Sequence, residues 1–205
     1  MSGSHSATEA RCAAKQRTTK ETDISVRIDL DGPTGEVRAS TGLPFFDHML
    51  DQLGRHGGFD LVVDATGDLH VDGHHTVEDT AITIGECFRE AIGDKAGIRR
   101  FASGLYPLDE ALVEVALDLS GRPYIAYDVP IGEVLPLGDP PFNPEMAEHF
   151  WQSFAHTAGI TLHVRLREGQ NTHHIVEASF KGVARCLRDA VRIEGGGVPS
   201  TKGVI

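Results

Sequence analysis

Hydrophobic and polar residues alternate along the chain from residue 24, and a helical period follows further on. Ile24, Val26 and Ile28 share one face of a predicted strand, which ends at the turn sequence Asp31-Gly32-Pro33. The elements predicted next are a strand over residues 35–40, a helix over 44–57, a strand over 59–65 and a helix over 74–93. Residues 1–17 show no such period, so we expect a flexible N-terminal tail there.

The same order of elements repeats in the second half of the chain. The segment ETDISVRIDLDG from Glu21 aligns with EALVEVALDLSG from Glu110, and Cys87 aligns with Cys186. The predicted elements of this half are strands over 110–119, 124–129 and 160–166 and helices over 144–159 and 174–192. A loop rich in proline and glycine over 130–143 is the main insertion.

This duplication predicts an α+β fold of two half-domains related by a pseudo-twofold axis. We expect each half-domain to be a small mixed or antiparallel sheet with two helices packed on one face. The half-domains span residues 18–98 and 99–194 and form one compact unit. Residues 195–205 have no counterpart in the first half and are expected to form a flexible loop that binds substrate.

One short motif, His-His-x-x-Glu, begins the last predicted helix of each half. On a helix, His74 and Glu78 lie about 40° apart, whereas adjacent histidines diverge by about 100° and are therefore expected to serve two different metals. One further histidine from the middle helix of each half aligns with its counterpart. The predicted metal ligands are His48, His74, His75, Glu78, His149, His173, His174 and Glu177. Three imidazoles and one carboxylate for each of two ions suit Mn²⁺, Fe²⁺ or Zn²⁺, and leave positions open for catalysis.

Departures from the repeat indicate where an asymmetric substrate binds. Lys181 follows Glu177 by one helical turn, Arg122 follows a turn, and the pair 99–100 lies in the connector between the halves. The unmatched segment 195–202 combines a glycine run with a hydroxyl and an ammonium group, which suits an anion. Together these cations suggest a phosphorylated small molecule.

A candidate acid or base precedes the first strand of each half. Glu21 stands in the first half, and Glu110, preceded by Asp109, stands in the second. Position in the sequence leaves open which of these carboxylates transfers protons.

The amino-acid composition and net charge of the chain indicate which classes of binding partner are disfavoured. The 205 residues carry a formal net charge of −11, which disfavours nucleic acid and anionic membranes as partners. No apolar run approaches the roughly 20 residues that span a bilayer, and the N-terminus lacks the apolar core of a signal peptide, so we expect a cytoplasmic protein. Three cysteines do not make a disulfide framework.

From residue 17 onward the chain resembles imidazoleglycerol-phosphate dehydratase, a carbon–oxygen lyase of L-histidine biosynthesis. The segments that carry the resemblance are RTTKET, FFDHMLDQLGRHGGFDL, DGHHTVEDTAITIGE, PLDEALVEVALDLSGRPY, EHFWQSFA, HHIVEASFKGVARCLRDA and PSTKG. The resemblance implies conversion of imidazole glycerol phosphate to imidazole acetol phosphate and water. It also implies two Mn²⁺ ions per subunit, held by the eight ligands above, which bind the substrate imidazole as imidazolate.

The resemblance assigns further roles by matching motifs. Glu21 matches the proton-transferring carboxylate. The residues that match substrate- and phosphate-binding positions are Gln52, Arg100, Arg122, Lys181, Ser200 and Lys202. It further implies a homo-oligomer of 24 subunits built from trimers, with metal sites between subunits, and a monofunctional chain.

Two other functions remain open at this point. A dinuclear metallohydrolase acting on phosphate esters would use similar ligands, although such sites usually hold a bridging aspartate, and none stands among these residues. A metal-storage shell would need the ligands but would have no use for Arg122 or Lys181.

Overall fold

The computed structural model describes residues 10–131, 135–203 and 205. The elements of the first half are β1 (Cys12–Thr18), β2 (Thr22–Asp29), β3 (Val37–Ser40), α1 (Pro44–Gly57), β4 (Asp60–Gly67) and α2 (His74–Ile92). Those of the second half are β5 (Phe101–Leu108), β6 (Ala111–Asp118), β7 (Tyr124–Asp128), α3 (Met146–Ala158), β8 (Thr161–Glu168) and α4 (Thr172–Ala190). The two halves therefore have the same order of elements.

Each half folds into a four-stranded sheet with the same topology. The strand orders are β1-β2-β4-β3 and β5-β6-β8-β7. Neighbouring strands are antiparallel, except that β3 pairs with β4, and β7 with β8, in parallel. The predicted α+β fold of two duplicated half-domains with mixed sheets is confirmed.

Helices occupy the space between the two sheets. α2 packs on β1 and β2, and α4 packs on β5 and β6, so each sheet has its helices on one face. Across the middle of the molecule, α1 packs against α4 and α2 packs against α3. Each helix pair thus joins the two halves, and residues at the ends of the helices from both halves come together there.

The core follows from the alternation in the central strands. Ile24, Val26 and Ile28 on β2 are fully buried, as are Val113 and Val115 on β6. Burying one face of each central strand against the helices contributes to the hydrophobic stabilisation of the fold. Among the described residues, no helix combines the length and apolar character needed to cross a membrane.

The strand β1 corrects the prediction of a flexible tail over residues 1–17. Residues 12–17 form an edge strand that pairs with β2 along its whole length, while residues 1–9 lie outside the described part of the chain. The prediction was wrong there because β1 buries only Ala13, so its side chains carry no hydrophobic alternation.

The strand β5 was missed for a related reason. Its large hydrophobic residues Phe101 and Leu105 face solvent, 53% and 59% exposed, whereas Tyr106 and Leu108 lie on the half-buried face. Apolar residues on both faces remove the period on which a strand prediction depends.

Candidate metal and substrate site

The helix pair α1 and α4 brings together three predicted metal ligands from both halves. His48 of α1 and His173 and Glu177 of α4 place one ligand atom each within 4.8 Å of one another, a group that we call the α1–α4 cluster. Glu177 Oε2 lies 2.9 Å from His173 Nε2 and 3.5 Å from His48 Nε2. Two imidazoles and one carboxylate at such distances match a transition-metal ligand set.

The helix pair α2 and α3 repeats this arrangement. His74 and Glu78 of α2 and His149 of α3 also place ligand atoms within 4.8 Å, and we call them the α2–α3 cluster. The rings of His74 and His149 have centroids 4.2 Å apart, and His149 Nε2 lies 3.5 Å from Glu78 Oε1. A cavity of about 420 Å³ opens on His74 and His149, with Pro140 and Pro141 in its wall.

The second histidine of each motif lies outside both clusters in this chain. His75 Nδ1 lies 3.0 Å from Asp68 Oδ2 and 3.8 Å from Glu21 Oε2. His174 Nδ1 lies 2.7 Å from Glu110 Oε2. The structure therefore groups six of the eight predicted ligands as two triads and separates the adjacent histidines, as the helical geometry predicts.

Hydrogen bonds in and beside the clusters raise the pKa of two histidines and lower the pKa of two glutamates. The hydrogen bond to Asp68 raises the pKa of His75, and the hydrogen bond to Glu110 raises the pKa of His174. The His174 contact, together with the Asn171 amide, lowers the pKa of Glu110 to about 2. Burial of Glu177 favours its neutral form, but the hydrogen bond and charge of Lys181 and the hydrogen bond from His173 outweigh that effect and lower its pKa.

The donor chemistry of the clusters fits a divalent metal ion. Within the described residues, His149 Nε2 is buried and makes no hydrogen bond, which leaves a lone pair or a proton without a partner. A metal ion between His74, Glu78 and His149 would satisfy that atom. Neither triad contains a thiolate, so the sets suit Mn²⁺, Fe²⁺ or Zn²⁺.

Four predicted phosphate-binding residues meet at the opposite end of α4. Arg100 and Arg122 line a cavity of about 640 Å³ together with Ser200 and Lys202, and we call this the cation pocket. Arg100 donates hydrogen bonds to the Asp118 carboxylate at 2.6 and 3.0 Å and to the Pro199 carbonyl at 2.7 Å. Its guanidinium thus links the second sheet to the C-terminal segment.

The other two predicted substrate-binding residues lie beside the α1–α4 cluster. Gln52 Nε2 lies 3.4 Å from His48 Nδ1, and Lys181 Nζ lies 2.7 Å from Glu177 Oε1. In one chain they are remote from the cation pocket. Arg100 N donates to Ala190 O at 2.9 Å near the end of α4, and at about 1.5 Å per residue the helix separates Ala190 from Glu177 by about 20 Å.

No sequence pattern singled out Lys95, which the structure places next to the cation pocket. It is 7% exposed and adopts a left-handed backbone with φ of 63°. Burial lowers the pKa of Lys95, Asp118 opposes this, and the positive charges of Arg100 and Arg122 add to the lowering. The feature of the sequence that could have pointed to Lys95 is its place in the basic connector between the halves, which ends at Arg100.

The fold and the two His–Glu clusters define a duplicated α+β protein with candidate metal sites where its halves meet. The chain belongs to the imidazoleglycerol-phosphate dehydratase family, whose sequence model matches residues 41–187. It is therefore an enzyme, a dehydratase, and the resemblance inferred from its motifs is confirmed.

Relatives match along the whole chain. An imidazoleglycerol-phosphate dehydratase of Acidothermus cellulolyticus is 55% identical over 205 residues, which cover 100% of this chain and 98% of that protein. A chloroplastic one of Arabidopsis thaliana is 50% identical over 207 residues, covering 100% of this chain and 75% of that protein.

Solved structures carry the same fold. The imidazoleglycerol-phosphate dehydratase of Staphylococcus aureus superposes with a TM-score of 0.78 at 35% identity, covering 87% of this chain and 97% of that one. The Pyrococcus furiosus protein gives a TM-score of 0.78 at 39% identity, covering 93% of this chain and 100% of that one.

Proposed function

We propose that this dehydratase converts imidazole glycerol phosphate to imidazole acetol phosphate in L-histidine biosynthesis. The observation that carries the proposal is the presence of two His–Glu clusters and a separate cation pocket in one chain. The clusters suit metal ions that bind an imidazole ring, and the pocket suits a phosphate dianion. Relatives that carry the name of this activity match over the full length, which supports the same substrate.

Two divalent ions, expected to be Mn²⁺ from the family resemblance, would be held by the α1–α4 and α2–α3 clusters. Bound there, they would act as Lewis acids that hold the substrate imidazole as imidazolate. His75 and His174 would complete the ligand sets of neighbouring chains, because in their own chain they lie outside both clusters. Each ion would then have the three imidazoles and one carboxylate that the motif predicts.

Glu21 is proposed to carry the protons of the reaction. Dehydration removes a proton from one carbon and a hydroxyl from its neighbour, and the resulting enol becomes the ketone of the product. One carboxylate can accept the carbon-bound proton and supply a proton to the departing hydroxyl. The Glu21 side chain suits this role because it is 54% exposed and lies 3.8 Å from His75, a proposed metal ligand.

A complete active site requires more than one chain. The cation pocket and the α1–α4 cluster lie about 20 Å apart along α4, much further than this substrate extends. We therefore propose that a neighbouring subunit brings its cation pocket to the clusters of this one, within a 24-subunit assembly built from trimers. Gln52 and Lys181 would bind the phosphate from the cluster side, and Arg100, Arg122, Ser200 and Lys202 from the pocket side.

Turnover of imidazole glycerol phosphate tests the function. The Mn²⁺-loaded protein should form a ketone that is detected in alkali, and removal of the metal by a chelator should abolish the reaction. Release of inorganic phosphate would instead indicate the metallohydrolase. A mineral load without turnover would indicate the storage shell.

Mixing two impaired variants tests whether the site is shared. At substrate concentrations near the wild-type KM, Glu21→Gln should be inactive and Lys202→Met should be much less active than the wild type, and activity should be regained when the two are unfolded and reassembled together with Mn²⁺. Some mixed sites would then combine an intact Glu21 from one chain with an intact Lys202 from another. No recovery in mixed assemblies of full size would contradict a site shared in this way.

A further inference from the structure

The segment that carries Glu21 is anchored by a buried carboxylate on α2. Asp79 is 8% exposed and accepts a hydrogen bond from Arg17 Nε at 2.7 Å. The other oxygen of Asp79 accepts a hydrogen bond from the Thr22 hydroxyl. Arg17 lies near the end of β1 and Thr22 at the start of β2, so Asp79 binds both ends of the connection on which Glu21 lies.

A second layer of hydrogen bonds fixes the backbone of Glu21 itself. The Thr19 hydroxyl accepts from the Glu21 amide at 3.1 Å and from the Thr22 amide at 3.0 Å. The Thr19 amide donates to the Thr22 carbonyl at 2.8 Å, and the two threonine hydroxyls lie 3.0 Å apart. Asp79 thus fixes Thr22 directly, and Thr22 and Thr19 in turn fix the backbone of Glu21.

Among the described residues of the second half-domain, the corresponding positions form no such network. The positions that correspond to Arg17, Thr22 and Asp79 are occupied by Tyr106, Ala111 and Ala178. The two alanines are buried and carry no polar side-chain atom, and the Tyr106 hydroxyl lies 3.1 Å from Cys186 Sγ instead. Buried polar groups are costly unless paired, so a network confined to one half of a duplicated frame points to a role specific to that half.

The two glutamates are held in opposite ways. The Glu110 carboxylate accepts hydrogen bonds from the Asn171 amide at 2.8 Å and the Gln170 amide at 3.3 Å, and His174 Nδ1 lies 2.7 Å away. Its oxygens are therefore occupied. Among the described residues, the Glu21 carboxylate has His75 within ion-pair distance and no hydrogen bond. Glu21 is held through its backbone, and its oxygens stay available.

We propose that Asp79 is a positioning residue that, through Thr22 and Thr19, holds Glu21 where it transfers protons, and thereby selects Glu21 over Glu110 as the catalytic carboxylate. This inference rests on the proposed role of Glu21. A displacement of about 1 Å at a reacting group can lower the rate by about 100-fold. Asp79→Asn keeps the size of the side chain but removes the charge that orders Arg17 and Thr22.

The test uses the full-length Mn²⁺-loaded assembly. Asp79→Asn should lower kcat by about 10- to 100-fold while leaving KM, metal content and assembly size unchanged. Glu90→Gln is the matched control, because Glu90 also lies on α2 and pairs with a cation of β1, Lys15, but on the surface. It should retain wild-type kcat. Thr22→Val, which exchanges the hydroxyl for a methyl group, provides the same test should Asp79→Asn fail to assemble.

The decisive measurement combines each change with Glu21→Gln. If Asp79 acts through Glu21, Asp79→Asn should reduce the residual single-turnover rate of Glu21→Gln no further. The inference would be overturned if Asp79→Asn lowered the rate by the same factor in the wild type and in Glu21→Gln. An unchanged kcat or a loss of metal in Asp79→Asn would also overturn it. These outcomes differ from those that would contradict the proposed function. The proposed function would fail if the wild-type protein showed no turnover or if Glu21→Gln were fully active.

Discussion

Lys181 Nζ lies 2.7 Å from Glu177 Oε1, one helical turn further along α4. The other oxygen of the same carboxylate faces His173 and His48. Glu177 therefore connects the α1–α4 cluster to a cation that has no counterpart in the first half, where Ile82 stands instead. A phosphorylated substrate bound at this cluster would have an ammonium group beside it.

Replacing Lys181 with methionine should weaken substrate binding while metal binding persists. A hydrogen bond to a charged group contributes about 1.5–3 kcal/mol, so KM should rise by roughly 10- to 100-fold. Steady-state kinetics and metal analysis of the purified assembly check this. Arg185→Met is the control, because Arg185 is an exposed cation one turn further along the same helix. Loss of metal from Lys181→Met would contradict the assignment to the phosphate.

Removing the imidazole of His149 should empty one cluster and spare the other. His149→Ala should lose about half of the bound Mn²⁺, since the two clusters share no residue. Without metal, the variant should lose only the packing of the imidazole against His74, because His149 Nε2 makes no hydrogen bond within the described chain. Added Mn²⁺ should then stabilise the variant less than the wild type. Metal analysis and urea unfolding measure the two effects. His163→Ala, which changes a histidine outside the clusters, is the control. Full metal content in His149→Ala would contradict the assignment of His149 as a metal ligand.

Periodicity explains how much of the architecture was predictable. The helices α2 and α4 repeat apolar residues with a helical period, and the strands β2 and β6 alternate apolar and polar residues. Each of these elements buries one face, so the sequence pattern predicts it. The edge strands β1 and β5 lack such a face, and no local pattern reveals them. Alignment of the halves likewise identified the eight candidate ligands, because the same residue types recur at the same positions.

Contacts between the halves could not be derived in this way. Each triad combines residues from both half-domains, since His48 meets His173 and His74 meets His149. That grouping depends on α1 packing against α4 and α2 against α3, which is a long-range property of the fold. The role of Asp79 also left no signal, because its counterpart in the second half is Ala178 and its partners Arg17 and Thr22 lie about 60 residues away in the chain.

Acid should remove a stabilising contribution of Asp60. This buried carboxylate accepts hydrogen bonds from the Thr34 hydroxyl at 2.7 Å and the Glu36 amide at 3.0 Å. Burial favours the neutral acid, but these hydrogen bonds outweigh it and lower the pKa of Asp60. Because the pKa of Asp60 is lower in the folded state than in the unfolded state, ionised Asp60 stabilises the fold at pH values above its ordinary pKa of about 4. This contribution is lost as the pH falls through the pKa of the folded state.

Urea unfolding of the metal-free Asp60→Asn variant measures this contribution. The variant should be less stable than the wild type by about 1–3 kcal/mol at pH 7, and the difference should shrink as the pH falls below about 4. Asp94→Asn, which changes an exposed carboxylate, controls for the loss of one negative charge. A difference that stays constant between pH 7 and pH 3 would show that ionisation of Asp60 does not stabilise the fold.

A methyl group at Gly85 should disturb the packing of α2 against α3. The added carbon would lie 2.9 Å from the Phe154 carbonyl oxygen and 3.1 Å from the Ala158 nitrogen, both in the backbone of α3. Backbone atoms cannot move aside as a flexible side chain can, so Gly85→Ala should lose about 1–3 kcal/mol of unfolding free energy. Because α2 carries His74 and α3 carries His149, the same shift should also weaken metal binding at the α2–α3 cluster.

Gly197→Ala is the matched control for this substitution. A methyl group there would meet no atom of the described residues within 4 Å, so stability and metal content should stay at the wild-type level. Denaturant unfolding of both variants and a Mn²⁺ titration of each distinguish the effects. A Gly85→Ala protein as stable as Gly197→Ala, with both clusters filled, would mean that the close approach of α2 and α3 does not hold the α2–α3 cluster in place.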